Sequence, residues 1–145
     1  MAKKAATKSP RSTRTLRQNE TGAHIGRWIR NETRYAIYAR DACTCQYCGK
    51  QMELGSPELQ LDHVVARARG GSNAATNVVT SCSDCNEHKG DKTLALAFNK
   101  ATVQRVEKSA RALTKEERTI GKAIDAARKV SVNARRAITL AGVPF

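Results

Sequence analysis

Asp62-His63-Val64-Val65-Ala66-Arg67-Ala68-Arg69-Gly70-Gly71 is followed by Asn77, and then by Cys82-Ser83-Asp84-Cys85-Asn86-Glu87-His88-Lys89-Gly90. Leu59 to Val65 alternates well enough for a strand. Gly70-Gly71-Ser72-Asn73 forces a loop or a tight reversal. Asn77-Val78-Val79-Thr80 reads as the short returning strand. A helix is predicted to begin near Ser83, with Cys82 to Lys89 forming its first turns and Gly90 breaking it. The order strand, loop, strand, helix makes the middle of the chain a small α+β unit.

A second Cys-x-x-Cys, Cys45 and Cys48, lies upstream, with 33 residues between Cys48 and Cys82. Two such pairs suit one tetrahedral four-thiolate zinc site, each pair supplying two sulfurs at fixed geometry. Gly49 favours the tight turn that lets backbone N–H groups approach the sulfurs. Aromatic residues are 4% of the 145 residues. A core so poor in large side chains gains from a metal, and structural zinc contributes on the order of 10 kcal/mol to folding. Cys43 is the odd cysteine and is expected to be a small, reduced, partly buried side chain. The gap between the pairs exceeds the roughly 12–20 residues of a plain zinc finger or ribbon. The insertion holds Asp62, His63 and Asn77.

Those residue types suit phosphodiester hydrolysis, which needs a base for water and a cation to stabilise charge on the phosphorus and the leaving oxygen. His63 carries an imidazole, the side chain best suited to act as the base. Asp62 offers a hard oxygen ligand for Mg²⁺ or Mn²⁺, and Asn86 a second from the helix. Asn77, just past the glycines, is placed to hydrogen-bond backbone and fix the imidazole. Asn86 and His88 stand about 200° apart on a helix, so one ion would not take both, and Asn86 is preferred. Lys89 shares the Asn86 face and is a candidate phosphate contact, as are Arg67 and Arg69.

The net charge is +13. Residues 1–40 carry ten Lys and Arg against two acids, residues 41–100 six against seven, and residues 101–145 ten against four. The positive charge therefore sits on the flanks, where a polyanion would be gripped. Residues 1–22 read as a basic disordered tail, 23–92 as the zinc-bearing core and 93–145 as a basic helical extension. A short helix is expected to end near Asp41, with Trp28, Tyr35 and Tyr38 as core anchors. Thr93 to about Lys108 is predicted as one helix, with Leu94, Ala97, Phe98, Ala101 and Val106 on one face. Thr114-Lys-Glu-Glu117 is a capping box opening another, followed by Ile120, Ile124 and Ala127 at helical spacing. A last helical segment is expected over Val132 to Leu140. No run of 18 apolar residues suggests a membrane span, and the basic N-terminus lacks a signal-peptide core, so a reducing cytoplasm is expected.

From about Arg34 to Asp91 the chain resembles an HNH endonuclease of the zinc-stapled type. The residues that carry the likeness are Arg40-Asp41, both cysteine pairs, Asp62-His63, Gly70-Gly71, Asn77, Asn86 and Lys89-Gly90. The resemblance implies a ββα-metal core with one catalytic divalent ion. It implies that Asp62 and Asn86 bind that ion, that His63 activates water and that Asn77 braces the loop. It implies duplex DNA as substrate, 5′-phosphate and 3′-hydroxyl ends, a bacterial or phage source, and a monomer or weak dimer. The separations from Asp62 to Asn77 and Asn86 are similar to those of the HNH domain in RNA-guided CRISPR nucleases. Ala66 departs from the proline of many relatives. Two alternatives stand beside a nuclease acting alone: a non-catalytic zinc-folded nucleic-acid-binding module, and an accessory nuclease with a protein partner in a phage packaging or repair machine.

Overall fold

The computed structural model describes residues 29–140, with backbone alone over 134–140, and two short strands ahead of them. These strands, β1 (Arg17–Gln18) and β2 (His24–Ile25), pair antiparallel. The rest of the tail expected over residues 1–22 lies outside the described residues, as does Trp28.

Helix α1 spans Asn31–Arg40 and stops at Asp41, as its expected end required. Tyr35, Ala36, Ile37 and Tyr38 are all buried along it. Strands β3 (Leu59–His63) and β4 (Val78–Cys82) form an antiparallel hairpin. Its register sets Leu59 opposite Cys82, Asp62 opposite Val79 and His63 opposite Val78. Every residue of β4 is buried, which explains its unbroken run of apolar and small side chains. Helix α2, Ser83–Lys89, follows β4 directly and ends at Gly90.

The single helix expected over 93–108 is two helices, α3 (Leu94–Ala97) and α4 (Lys100–Ser109). The break has a local cause. Phe98 is extended at φ −136°, ψ 162°, and the Asn99 side chain caps α4 by accepting from the Thr102 N–H at 2.9 Å. The register therefore restarts, and α4 buries Thr102 and Val106 while Ala101 is exposed.

Helix α5 runs unbroken from Lys115 to Leu140, joining the two segments expected there. Its capping box is formed as read. The Glu117 N–H donates to Thr114 Oγ1 at 3.2 Å, and the Thr114 N–H to Glu117 Oε2 at 2.8 Å. Of the three residues read at helical spacing, Ile124 packs against the core and the other two do not. Ile120 is 47% exposed and Ala127 is exposed, whereas Gly121, Ile124 and Asp125 turn inward toward α1. Close approach decides the face. A Cβ at Gly121 would lie 2.2 Å from the Glu32 carbonyl oxygen and 2.8 Å from Ala36 Cβ. Arg128 then lies over the Tyr35 ring, 5.4 Å from its centroid, and bonds its hydroxyl. Gly121→Val should therefore push α5 off α1 and cost about 1–3 kcal/mol. A urea midpoint unchanged from wild type, with exposed Lys122→Ala as control, would show that the helices do not touch there.

Two apolar clusters fill the interior. One joins Tyr35, Tyr38, Cys45, Tyr47, Met52, Leu59, Val79, Cys82, Leu94 and Val106. The other joins Ile29, Ala36, Ile37, Val78 and Leu113. Both use α1 and β4, so the hairpin is clamped from the α1 side and from the C-terminal helices. No described helix is long and apolar enough to cross a membrane.

Candidate metal centre and hydrolytic site

The first cysteine pair sits on a tight turn. The Cys45 N–H donates to the Lys50 carbonyl at 2.8 Å and the Gly49 N–H to the Cys45 carbonyl at 2.9 Å. The Gln46 N–H reaches the Thr80 carbonyl at 2.9 Å and ties this turn to β4. The second pair straddles the β4–α2 junction, with Cys82 at the helix cap and Cys85 in the first turn. The sulfur atoms of Cys45, Cys48, Cys82 and Cys85 all lie within 4.8 Å of one another. Cys48 Sγ and Cys82 Sγ are 3.8 Å apart. A tetrahedron with zinc–sulfur bonds of about 2.3 Å has edges of about 3.8 Å, so the four thiols fit zinc. Burial works to raise the Cys45 thiol, but the backbone N–H groups of Cys48, Cys82 and Tyr47 outweigh it and bring it down to about 7. Burial holds Cys82 and Cys85 up. Cys43 is partly buried against the core and stays outside the cluster.

The hydrolytic candidates lie beside this frame, along the seam between β3 and α2. Gln60 and Asp62 are two apart on a strand and share a face. Asn86 and Lys89 are three apart on a helix and share another. The faces meet: Asn86 Nδ2 donates to Gln60 Oε1 at 2.8 Å, and Lys89 Nζ lies 3.2 Å from Asp62 Oδ2. Asp62 and Asn86 thus look onto one seam. Asp62 Oδ2 also accepts from the Tyr47 hydroxyl at 2.5 Å. The Tyr47 and Lys89 contacts both fall on Asp62 Oδ2, and Asn86 uses its nitrogen, so Oδ1 of each side chain is the end turned from these contacts.

Lys89 is not the phosphate contact expected of it. Its side chain is fully buried, with Nζ donating to the His63 carbonyl at 2.7 Å beside the Asp62 carboxylate. A buried ammonium needs such partners, and they remove it from a phosphate's reach. It secures the end of β3 instead. His88 is directed elsewhere, with Nε2 against the Ala97 carbonyl at 2.9 Å and its ring near Phe98. Arg69 Nε donates to the Asp91 carbonyl at 2.5 Å on the exposed surface.

Asn77 braces the loop between the strands. Its Oδ1 accepts from the Val65 N–H at 2.8 Å, and its Nδ2 donates to the carbonyls of Val65 at 3.1 Å and Ser72 at 2.9 Å. Gly71 lies under this brace. A Cβ there would stand 1.7 Å from the Val65 carbonyl oxygen and 2.9 Å from Asn77 Nδ2, so only glycine fits. Ala66 holds φ −57°, ψ 146°, a backbone that proline also adopts. The partner that touches the imidazole is not Asn77 but Asn73, whose Oδ1 lies 2.8 Å from His63 Nε2 and also accepts from Arg67 Nη1 at 2.9 Å. Arg67, expected at a phosphate, is therefore engaged beside the candidate base.

Two residues of the site escaped the reading of the sequence. Asn73 stood in the glycine loop without a distinguishing pattern. Tyr47 lay inside the first cysteine pair, and its aromatic ring was the available signal. It is buried and stacked on Phe98 with centroids 4.4 Å apart. Burial, and then the adjacent Asp62 carboxylate, push its hydroxyl well above the ordinary phenol range, so it remains a donor to Asp62.

Residues 45–101 match the family model described as HNH endonuclease. Among curated proteins, the chain is 34% identical over 74 residues to a CRISPR-associated endonuclease Cas9 of Corynebacterium diphtheriae, covering 50% of this chain and 7% of the relative. It is 37% identical over 65 residues to the Cas9 of Actinomyces naeslundii, covering 44% of this chain and 6% of the relative. The chain thus spans less than a tenth of the length of these relatives. Among solved structures, it resembles the Type IV phosphorothioation-dependent restriction endonuclease ScoMcrA at 23% identity and a TM-score of 0.36, over 60% of this chain and 18% of that one. The segment from Cys45 to Ala101, holding both cysteine pairs, the β3–β4 hairpin and α2, is the part of the chain that is similar to HNH endonucleases.

Proposed function

We propose that the chain is a metal-dependent endonuclease that hydrolyses DNA phosphodiester bonds. The observation that supports it most is the seam itself: a half-buried His63 at the end of β3, where the Gln60–Asp62 face of the strand meets the Asn86–Lys89 face of α2 through the Asn86–Gln60 and Lys89–Asp62 contacts. A carboxylate and an amide oxygen form the hard donor set that suits a magnesium-class cation rather than zinc. Such an ion, held by Asp62 and Asn86, would neutralise charge on the leaving oxygen and the phosphoryl group.

The protein's own groups do the rest. His63 takes the proton from the attacking water. Tyr47 and Lys89 fix the Asp62 carboxylate, and Asn77 with Gly71 fixes the loop that follows His63. The duplex is held by its phosphates through the basic flanks, including the exposed Lys115, Arg118 and Lys122 of α5. That grip is largely independent of base sequence and weakens as salt rises. One such site cuts one strand, so a monomer nicks.

A supercoiled-plasmid assay with Mg²⁺ or Mn²⁺ tests this reading. His63→Ala should slow nicking by about 10²- to 10⁴-fold while leaving DNA binding intact. Equal rates for wild type and variant would leave only a zinc-folded nucleic-acid-binding module.

A further inference from the structure

We propose that Asn73 is a positioning residue that selects the tautomer of His63, and that Arg67 orients Asn73 to do so. The proposal rests on the nuclease reading only for its consequence on rate; the tautomer itself is a property of the folded chain.

A neutral imidazole carries its proton on one nitrogen and a lone pair on the other, and the hydrogen bond made by one ring nitrogen decides which. His63 Nε2 lies 2.8 Å from Asn73 Oδ1. An asparagine amide can present either oxygen or NH₂ to a ring nitrogen, so this contact alone does not fix the proton. Arg67 does. Its Nη1 lies 2.9 Å from the same Oδ1, and a guanidinium only donates. If the amide were turned over, its NH₂ would face the guanidinium N–H, two donors opposed beside a full positive charge. The oxygen must therefore face both neighbours. One lone pair takes the Arg67 proton and the other takes a proton from His63, so Nε2 carries hydrogen and Nδ1 keeps the lone pair.

The consequence is chemical. Nδ1 becomes the nitrogen able to accept a proton from water. The imidazolium formed at that moment keeps its Nε2–H···Oδ1 bond, now charge-assisted. Arg67 polarises the amide and also opposes the growing charge on the ring. Its main service is therefore orientation of Asn73. The loop makes this possible: Arg67 opens the short 3-10 turn of Arg67–Arg69, while Asn73 follows the turn closed by Gly71.

The test uses the full zinc-loaded chain labelled with ¹⁵N on histidine, at a pH where the ring is neutral. His63 signals are identified by their loss in His63→Ala. In wild type, the nitrogen resonances should show a protonated Nε2 and a bare Nδ1. Asn73→Leu, which removes the acceptor, should shift the ring toward a mixture of tautomers and lower kcat for nicking about 10- to 100-fold with KM nearly unchanged. Asn73→Asp, which retains an acceptor oxygen, should restore the wild-type tautomer. Arg67→Met leaves Asn73 in place but removes the donor that holds Oδ1 toward the ring, and should also mix the tautomers. A wild-type ring protonated on Nδ1, or a tautomer unmoved in both Asn73→Leu and Arg67→Met, overturns the proposal. If wild type fails to nick while the tautomer responds as stated, the nuclease reading falls and the role of Asn73 stands.

Discussion

Chelation of the metal should unfold this chain. The four sulfurs join a turn that ends near residue 50 to a junction that begins at residue 82, and two of them, Cys45 and Cys82, are themselves part of the larger apolar cluster. Around them stand Tyr47, Met52, Leu59 and Val79, a modest core. A structural zinc site contributes on the order of 10 kcal/mol, comparable with the entire stability of an ordinary domain. Loss of the cooperative far-UV CD melt on adding EDTA, and its return with Zn²⁺, are the expected results. Cys82→Ser should behave like chelation, whereas Cys43→Ser should change stability by less than about 1 kcal/mol, since Cys43 lies outside the set. Metal loading must displace thiol protons, and burial holds Cys82 and Cys85 up. Zinc affinity should therefore fall as the pH is lowered, with Cys82 and Cys85 reprotonated before Cys45, whose thiol is held down at about 7. A melt indifferent to EDTA would sink the structural role of the metal.

The second large effect is expected at Arg40. Arg40 Nε and Nη2 hold the Asp41 carboxylate at 2.7 and 3.0 Å, with both side chains 1% exposed. The same guanidinium donates to the carbonyls of Ala75, Val78 and Arg111 at 2.9, 2.8 and 2.8 Å. Asp41 in turn accepts the Thr80 N–H at 2.8 Å. One ion pair therefore fastens the end of α1 to β4 and to the segment before α5. Arg40→Met fills much of the space but leaves a buried carboxylate without its cation and three carbonyls without a donor. The loss should be about 3–5 kcal/mol. Adding Asp41→Leu to Arg40→Met should recover part of that loss, because the stranded charge is removed along with its partner. Urea denaturation of the two single variants and the double variant provides the cycle. Additive losses would mean that the pair does not act as a unit.

How much of this was legible in the sequence follows from the range of the forces involved. The strand at Leu59, the helix from Ser83 stopping at Gly90, and the Thr114–Glu117 box depend on neighbours within a few residues, and they were read correctly. The cysteine cluster was legible because a tetrahedral ion permits few ways of joining two pairs. Asn99 was a local cap of the same kind, yet its signal was hidden inside an apolar period that ran across it. Arg40-Asp41 stood out only as part of a resemblance, since nothing nearby reveals that the pair is buried.

By itself, then, the sequence determined the strand–loop–strand–helix order, the four thiols and the inventory of reactive side chains, because backbone preference, ligand spacing and side-chain chemistry are properties of short segments. Tertiary structure alone decided that Lys89 is sealed beneath Asp62, that Tyr47 reaches that same carboxylate, that Asn73 rather than Asn77 meets the imidazole, and that α5 turns Gly121 toward α1. Each of these choices is made by the packing of surfaces distant in the chain, where one carbonyl or one Cβ a few ångströms away settles which side chain is buried and which atom it touches.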